Sequence, residues 1–196
     1  MSNCVTGRRS RAESLPGQTA ARPCHAGPPD VPKARHYSYR VDHDLGFAPH
    51  IAGRLCTLCG CKKTTIERWA KAGSWIVGIG GKGTGKNDAL IYAMKVEETP
   101  SYRDFRKAHP ADASYLSGHG IPRDAPVLLS THFYYFGNQA RLLPPDLSHI
   151  IHTTQGCKRL SNKDIASLNE LVLSGYRCGA HGKPNNRILK SLRAAC

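Results

Sequence analysis

The chain has 196 residues, enough for one domain with its own core plus an extension. Lys and Arg number 28 against 14 Asp and Glu, a formal net charge of +14. That balance points to anionic partners, nucleotides or nucleic acid, because a basic surface gains free energy by releasing counterions from phosphates. No stretch approaches the roughly 18 apolar residues of a membrane span, so no membrane partner is expected. No apolar leader precedes the cysteines, which predicts a cytoplasmic protein with free thiols rather than disulfides.

Residues 1–36 are rich in Ser, Gly, Pro, Ala and Arg and hold almost no large apolar residue. Such a segment cannot offset its own ordering entropy, so it predicts a disordered basic extension. Most of the excess charge falls in the remainder, 37–196, read as the folded domain with a basic C-terminal helical segment. Alternation over 37–41 predicts a strand. Residues 42–60, with Gly46, Pro49 and Gly53, predict a long loop, the kind of segment that carries function. A helix is expected over 64–72, with Ile66, Trp69 and Ala70 on one face and Gly73 ending it. Residues 74–80 and 89–97 form the clearest hairpin. Trp75, Val77 and Ile79 share one face of its first strand, and Leu90, Tyr92, Met94 and Val96 one face of its second. A short helix over 101–108, a strand within 126–136 and a brief strand at 150–151 follow. Ser161 then caps a helix whose apolar face is Ile165, Leu168, Leu171 and Val172. This order lacks β-α-β alternation. It predicts an α+β fold: a small, curled, mostly antiparallel sheet or barrel with peripheral helices.

Four motifs bear on chemistry. Gly80-Gly-Lys-Gly-Thr-Gly-Lys86 has the composition of a phosphate loop, but that loop needs a helix after it. Here a strand follows, and Asn87 replaces the magnesium-binding hydroxyl. The segment reads as a hairpin turn whose Lys82 can touch phosphate as a mobile charge. Cys56-Thr-Leu-Cys59-Gly-Cys61 offers thiolates, yet a structural zinc needs four ligands and no second pair is spaced for it. No metal or other cofactor is therefore assigned. Lys62 beside these cysteines would favour a thiolate, which makes Cys56 and Cys61 candidate nucleophiles. His132-Phe-Tyr-Tyr-Phe-Gly137 sends His132, Tyr134 and Phe136 one way and Phe133 and Tyr135 the other. One face suits the core and the other an unstacked base. Asp44, clustered with Asp42 and His43, and His132 are candidate acid–base groups; Lys158 is a candidate phosphate contact.

Taken together, Tyr37-Ser-Tyr, Asp44-Leu-Gly-Phe-Ala-Pro49, Cys56-Thr-Leu, Cys61-Lys, Gly73-Ser-Trp-Ile-Val-Gly78, Leu90-Ile-Tyr-Ala-Met94 and His132-Phe-Tyr-Tyr-Phe-Gly137 resemble the family called nucleotide modification associated domain 2. The resemblance covers about 37–158. The Phe-Ala-Pro loop and the His-Phe-Tyr-Tyr-Phe-Gly strand are its most specific parts. It implies a bacterial or phage-associated protein working with modified nucleotides or DNA. Ser74 stands where an acidic residue is expected, and Cys157 where a histidine is expected. The element order is also similar to EVE and other PUA-like domains, small curled barrels that read modified bases; that likeness is at the level of fold.

Two functions follow as expectations. The first is a reader that takes a modified or flipped base into an aromatic pocket. Tyr37, Phe47, Pro49, Thr57, Trp75, His132 and Tyr134 would line it, and Lys62, Lys82 and Lys158 would hold phosphates. The second is an enzyme that makes or processes a modified nucleotide through Asp44, Cys56, Cys61 or His132.

Overall fold

The computed structural model describes residues 34–60, 65–116, 120–152, 154 and 156–185. The chain divides into two units, Met1–Val31 and Pro32–Cys196, and every described residue belongs to the second. The expected extension lies outside the described residues as far as residue 33. His36 already begins a strand.

The elements in chain order are β1 (His36–Val41), β2 (His50–Ala52), β3 (Leu55–Leu58), α1 (Thr65–Trp69), β4 (Trp75–Gly80), β5 (Ala89–Lys95), α2 (Tyr102–Ala108) and α3 (Pro110–Ala113). They continue with β6 (Leu128–Ser130), β7 (Phe133–Tyr135), β8 (Arg141–Leu142), β9 (Cys157–Leu160), α4 (Asn162–Leu168) and β10 (Gly179–Ala180). One sheet has the order β10-β7-β5-β4-β1-β9, with β8 also paired to β5; β2-β3-β6 form a second sheet. β1 pairs with β4 in parallel, as β10 does with β7, while β4, β7 and β8 run antiparallel to β5 and β9 to β1. The fold is α+β with a mixed sheet. Among the described residues that sheet is open, with β9 and β10 at its two ends, so the closed barrel is not found.

The sheet separates two cores. Tyr37, Tyr39, Ile76, Tyr92, Met94, Phe133 and Tyr135 pack on one side with Cys56, Leu58 and Ile66. Trp75, Val77, Ile79, Ala93 and Phe136 pack on the other with Leu160, Ile165 and Leu168. A third cluster joins Tyr102, Phe105 and Leu116 to Cys59, Val127 and Leu129. The expected alternation in the His-Phe-Tyr-Tyr-Phe motif is therefore present, and both faces are packed. Leu90 departs from the expected face and joins Ile79, because the β4–β5 register shifts between Gly78 and Ile79.

Other expectations are corrected by long-range pairing. The loop over 42–60 contains the β2–β3 hairpin, whose register pairs Ile51 with Cys56 and whose turn uses Gly53 at φ +57. The strand expected within 126–136 is two strands in different sheets, because Ser130 turns the chain. Its hydroxyl lies 2.7 Å from the Lys95 carbonyl and 2.9 Å from the His132 carbonyl. The expected strand at 150–151 is the end of a 3-10 turn, Pro145–Ile150. The polar stretch after Gly156 is strand β9. α1 ends at Trp69; Ile66 and Ala70 are buried while Trp69 is 49% exposed, so the three expected to share a face do not share one environment. α4 begins as expected, with Ser161 and Asp164 forming a reciprocal capping box. No helix among the described residues is long and apolar enough to cross a membrane.

Gly78 is where β4 meets the ring of Tyr92: an added Cβ would lie 2.3 Å from that ring. Tyr92 is fully buried and its hydroxyl lies 2.7 Å from that of Tyr39, so the ring has nowhere to go. Gly78→Ala should cost about 1–3 kcal/mol in urea unfolding through overpacking. Gly175→Ala, with nothing within 4 Å, should fall within about 0.5 kcal/mol of wild type.

Candidate functional site

Four strands, β1, β4, β7 and β10, run in the same direction, as the pairings require. The segments that leave them therefore emerge at one end of the sheet. Their contacts are close. A Cβ on Gly83 would come within 2.3 Å of the Asp42 carbonyl and 2.7 Å of His43 Nδ1. Lys183 N–H donates to Asn138 Oδ1 at 3.0 Å. The Asn185 side chain donates to the Thr84 carbonyl. A Cβ on Gly46 would meet Pro184 Cγ at 2.9 Å. Four loops are thus woven into one surface.

Asp44 is the centre of that weave. It is 1% exposed, and Tyr135 donates its phenolic hydrogen to the carboxylate, with Oδ1 and Oδ2 at 2.8 and 2.9 Å. The Asn185 backbone N–H adds a longer bond at 3.3 Å. Burial raises the Asp44 pKa, and these two donors act against the rise. Asp44 joins Asp44-Leu-Gly-Phe-Ala-Pro to His-Phe-Tyr-Tyr-Phe-Gly, the two most specific sequence motifs. Its burial makes it a group that positions the loops rather than one open to a ligand.

Beyond Asp44 the first loop carries half-buried Phe47 and then buried Pro49, which follows a cis peptide bond. His50 stacks on Tyr115 with ring centroids 3.5 Å apart, and Phe47 meets Tyr115 edge-on at 5.7 Å. Thr57, fully buried, hydrogen-bonds the Tyr115 hydroxyl, and desolvation holds that phenol well above the ordinary range. His50 Nδ1 lies 2.9 Å from the Gly46 carbonyl. A carbonyl can only accept, so Nδ1 carries the hydrogen. In the neutral ring Nε2 is then an acceptor. Exposed Lys82 and Lys183 border the same loops, with Lys86 half-buried. Gly46 contacts Pro184 and also holds His50, so the lysine border and the aromatic wall share one loop.

The remaining expected residues go elsewhere. Trp75, His132 and Tyr134 do come together, with centroids 5.3 Å and 6.0 Å apart along the series, but on the other side of the sheet. Trp75 is 7% exposed. Tyr134 is half-buried, and its pKa is pushed up to about 12 by desolvation and by Cys178. Tyr37 is buried in the first core. The seven lining residues therefore do not form one pocket, because the sheet lies between them. Lys158 is exposed and bonds the His149 carbonyl. Cys61 and Lys62 lie outside the described residues. Cys56 is fully buried, its Sγ 3.7 Å from Met94 Sδ, and burial drives its thiol far above the usual range. Cys59 is held at about 12 by desolvation and the charge of Glu67, and packs in a different cluster. Both are neutral thiols at physiological pH. Among the described residues no three His, Cys, Asp or Glu side chains gather as a metal site would need.

The chain belongs to the family described as nucleotide modification associated domain 2, whose model matches residues 33–117 and 117–191. That match extends the resemblance through β9, α4 and β10. No curated protein and no solved structure matches the chain.

Asp44 and Tyr135 give a pH-dependent test. A carboxylic acid whose folded pKa is raised contributes most below its ordinary value of 3.8, and that contribution is lost as pH rises through the folded value. Removing the Tyr135 hydroxyl removes a donor that favours the ionised form. Tyr135→Phe should therefore cost more at pH 7.5, about 2–3 kcal/mol, than at pH 4, about 1 kcal/mol. Urea midpoints at both pH values check this; equal losses would mean that Tyr135 does not bond an ionised Asp44.

Proposed function

We propose that this domain binds a nucleotide unit, free or within nucleic acid, at the loop surface built on Asp44, and reads its base. The observation that supports this reading is the convergence of both motif loops, the Gly/Lys turn and the 181–185 segment around one buried carboxylate. That convergence places the aromatic wall and the exposed Lys82 and Lys183 on connected loops. Phe47, His50 and Tyr115 offer ring faces and edges for stacking, a sequence-tolerant contact of about 1–3 kcal/mol per base. His50 Nε2 supplies an acceptor suited to an exocyclic amino group on the base edge. Lys82 and Lys183 supply point charges for phosphate. Family membership supports the nucleotide-modification theme.

In this reading Trp75, His132 and Tyr134 support the sheet from behind rather than wall the ligand. The enzyme alternative finds less support. Cys56 is buried and neutral, and Asp44 is closed off by its own donors.

Calorimetry with nucleoside monophosphates and the matching nucleosides separates the two halves of the site. Lys82→Ala and Lys183→Ala should each weaken monophosphate binding by about 2–5-fold, as expected for a partly exposed charge pair, and leave nucleoside binding unchanged. Phe47→Ala should weaken both ligands by about tenfold or more. Equal monophosphate affinity in wild type and the Lys82→Ala/Lys183→Ala double variant would reject the phosphate assignment.

A further inference from the structure

At the other end of β1 lies a second surface that the loop site does not use. A groove of about 440 Å³ is lined by Ala34, Arg35, His36, Arg159, Leu160, Ser161 and Asn162. His36 forms its floor. His36 Nδ1 accepts from the Trp75 N–H at 3.0 Å, so Nε2 carries the hydrogen and donates to Asn162 Oδ1 at 2.8 Å. The Asn162 amide oxygen is thereby occupied, and its amino group remains as a donor.

The groove is lined by donors. Asp164, which follows the groove residues Ser161 and Asn162, is committed to His149 at 2.8 Å and to the Ser161 N–H at 2.7 Å. Arg35 and Arg159 are exposed, and neither guanidinium has a hydrogen bond or ion pair among the described residues. Arg35 is tied to the next segment through its backbone, which donates to Ser74 Oγ at 3.3 Å. That segment follows α1; Arg68 in the helix and Lys71 just after it are also exposed. Trp69 stands between them, half-exposed, with its ring 6.4 Å from Tyr37, the residue that pairs with Arg159 across β1 and β9.

A half-exposed indole beside exposed cations has a specific use. Aromatic faces stack on unpaired bases, while arginines follow the phosphates between them. Duplex DNA keeps its bases stacked inside, so it cannot use an exposed indole. We propose that Trp69, Arg35, Arg159 and Asn162 form a track for single-stranded nucleic acid, with Trp69 stacking on a base and the arginines on the phosphodiester backbone. This inference rests on the nucleotide-binding reading above and extends it: the ligand is a polynucleotide, with the loop site and the track at opposite ends of β1.

Two tryptophans are present, and Trp75 is 7% exposed, so the fluorescence that a ligand can reach reports Trp69. The full chain is titrated with a thymidine homopolymer of about 20 nucleotides, long enough for one site of this class, across a salt series. The track predicts quenching of the tryptophan signal. Trp69→Leu should abolish the quenching and weaken binding about tenfold, while Trp69→Phe should retain most of the affinity. Arg35→Ala/Arg159→Ala should reduce the slope of log affinity against log salt by about 1.4, roughly 0.7 for each single-strand phosphate lost. A duplex of the same length should bind without quenching. Wild-type affinity in Trp69→Leu, an unchanged slope in the arginine variant, or no binding of the homopolymer would each overturn the proposal. Monophosphate binding that depends on Lys82 and Lys183 is scored separately: its absence alongside intact homopolymer quenching would reject the loop site and leave the track standing.

Discussion

The hydrogen bond from Tyr135 to Asp44 ties the loop that leaves β1 to a strand on the far side of β4 and β5. It is a direct side-chain link from the 42–49 segment to β7, a strand that does not pair with β1. Asn185 closes the same carboxylate from a third direction and reaches Thr84 with its side chain. One buried acid therefore sets the positions of four loops. A buried carboxylate is costly unless its lone pairs are satisfied, and here three donor contacts satisfy it. The cost also makes the arrangement specific, because any displacement of these loops would strip Asp44 of its partners.

Local pattern in the sequence was enough for the elements that carry their own signal. The β4–β5 hairpin stands out because two apolar strands flank a Gly-rich turn. The opposed faces of Phe133 and Tyr135 against Tyr134 and Phe136 follow from period-two alternation. Ser161 and Asp164 mark the start of α4 through capping chemistry. Family membership was legible in the motif residues. What stayed hidden depends on partners distant in the chain. β2 and β3 are only His50–Ala52 and Leu55–Leu58, and β3 is completed by β6 far downstream. β9, polar and short, is a strand because β1 needs an edge partner.

The site shows the same limit. Lys82, Phe47 and Asp44 were visible as residues of suggestive loops. Tyr115 and Asn185 were not, because neither sits in a motif and their roles exist only through contacts with Thr57 and Asp44. Ile66, Trp69 and Ala70 share a helical spacing, but α1 ends at Trp69, and Ile66 and Ala70 are buried while Trp69 is 49% exposed. Tyr37, Trp75, His132 and Tyr134 share an aromatic character that suggested one pocket, but sequence composition does not say which side of a sheet a ring occupies.

Exposed cations stand at both ends of β1, Lys82 and Lys183 at one and Arg35 and Arg159 at the other, and the sheet between them is packed on both faces. Whether a nucleotide binds at the loops gathered by Asp44 is tested by amide chemical-shift mapping during titration with a nucleoside monophosphate. Shifts should concentrate in residues 42–50, 81–86, 136–139 and 181–185, with Tyr115 following. Shifts confined to the Trp75–His132–Tyr134 face, or spread evenly over exposed lysines and arginines, would contradict binding there.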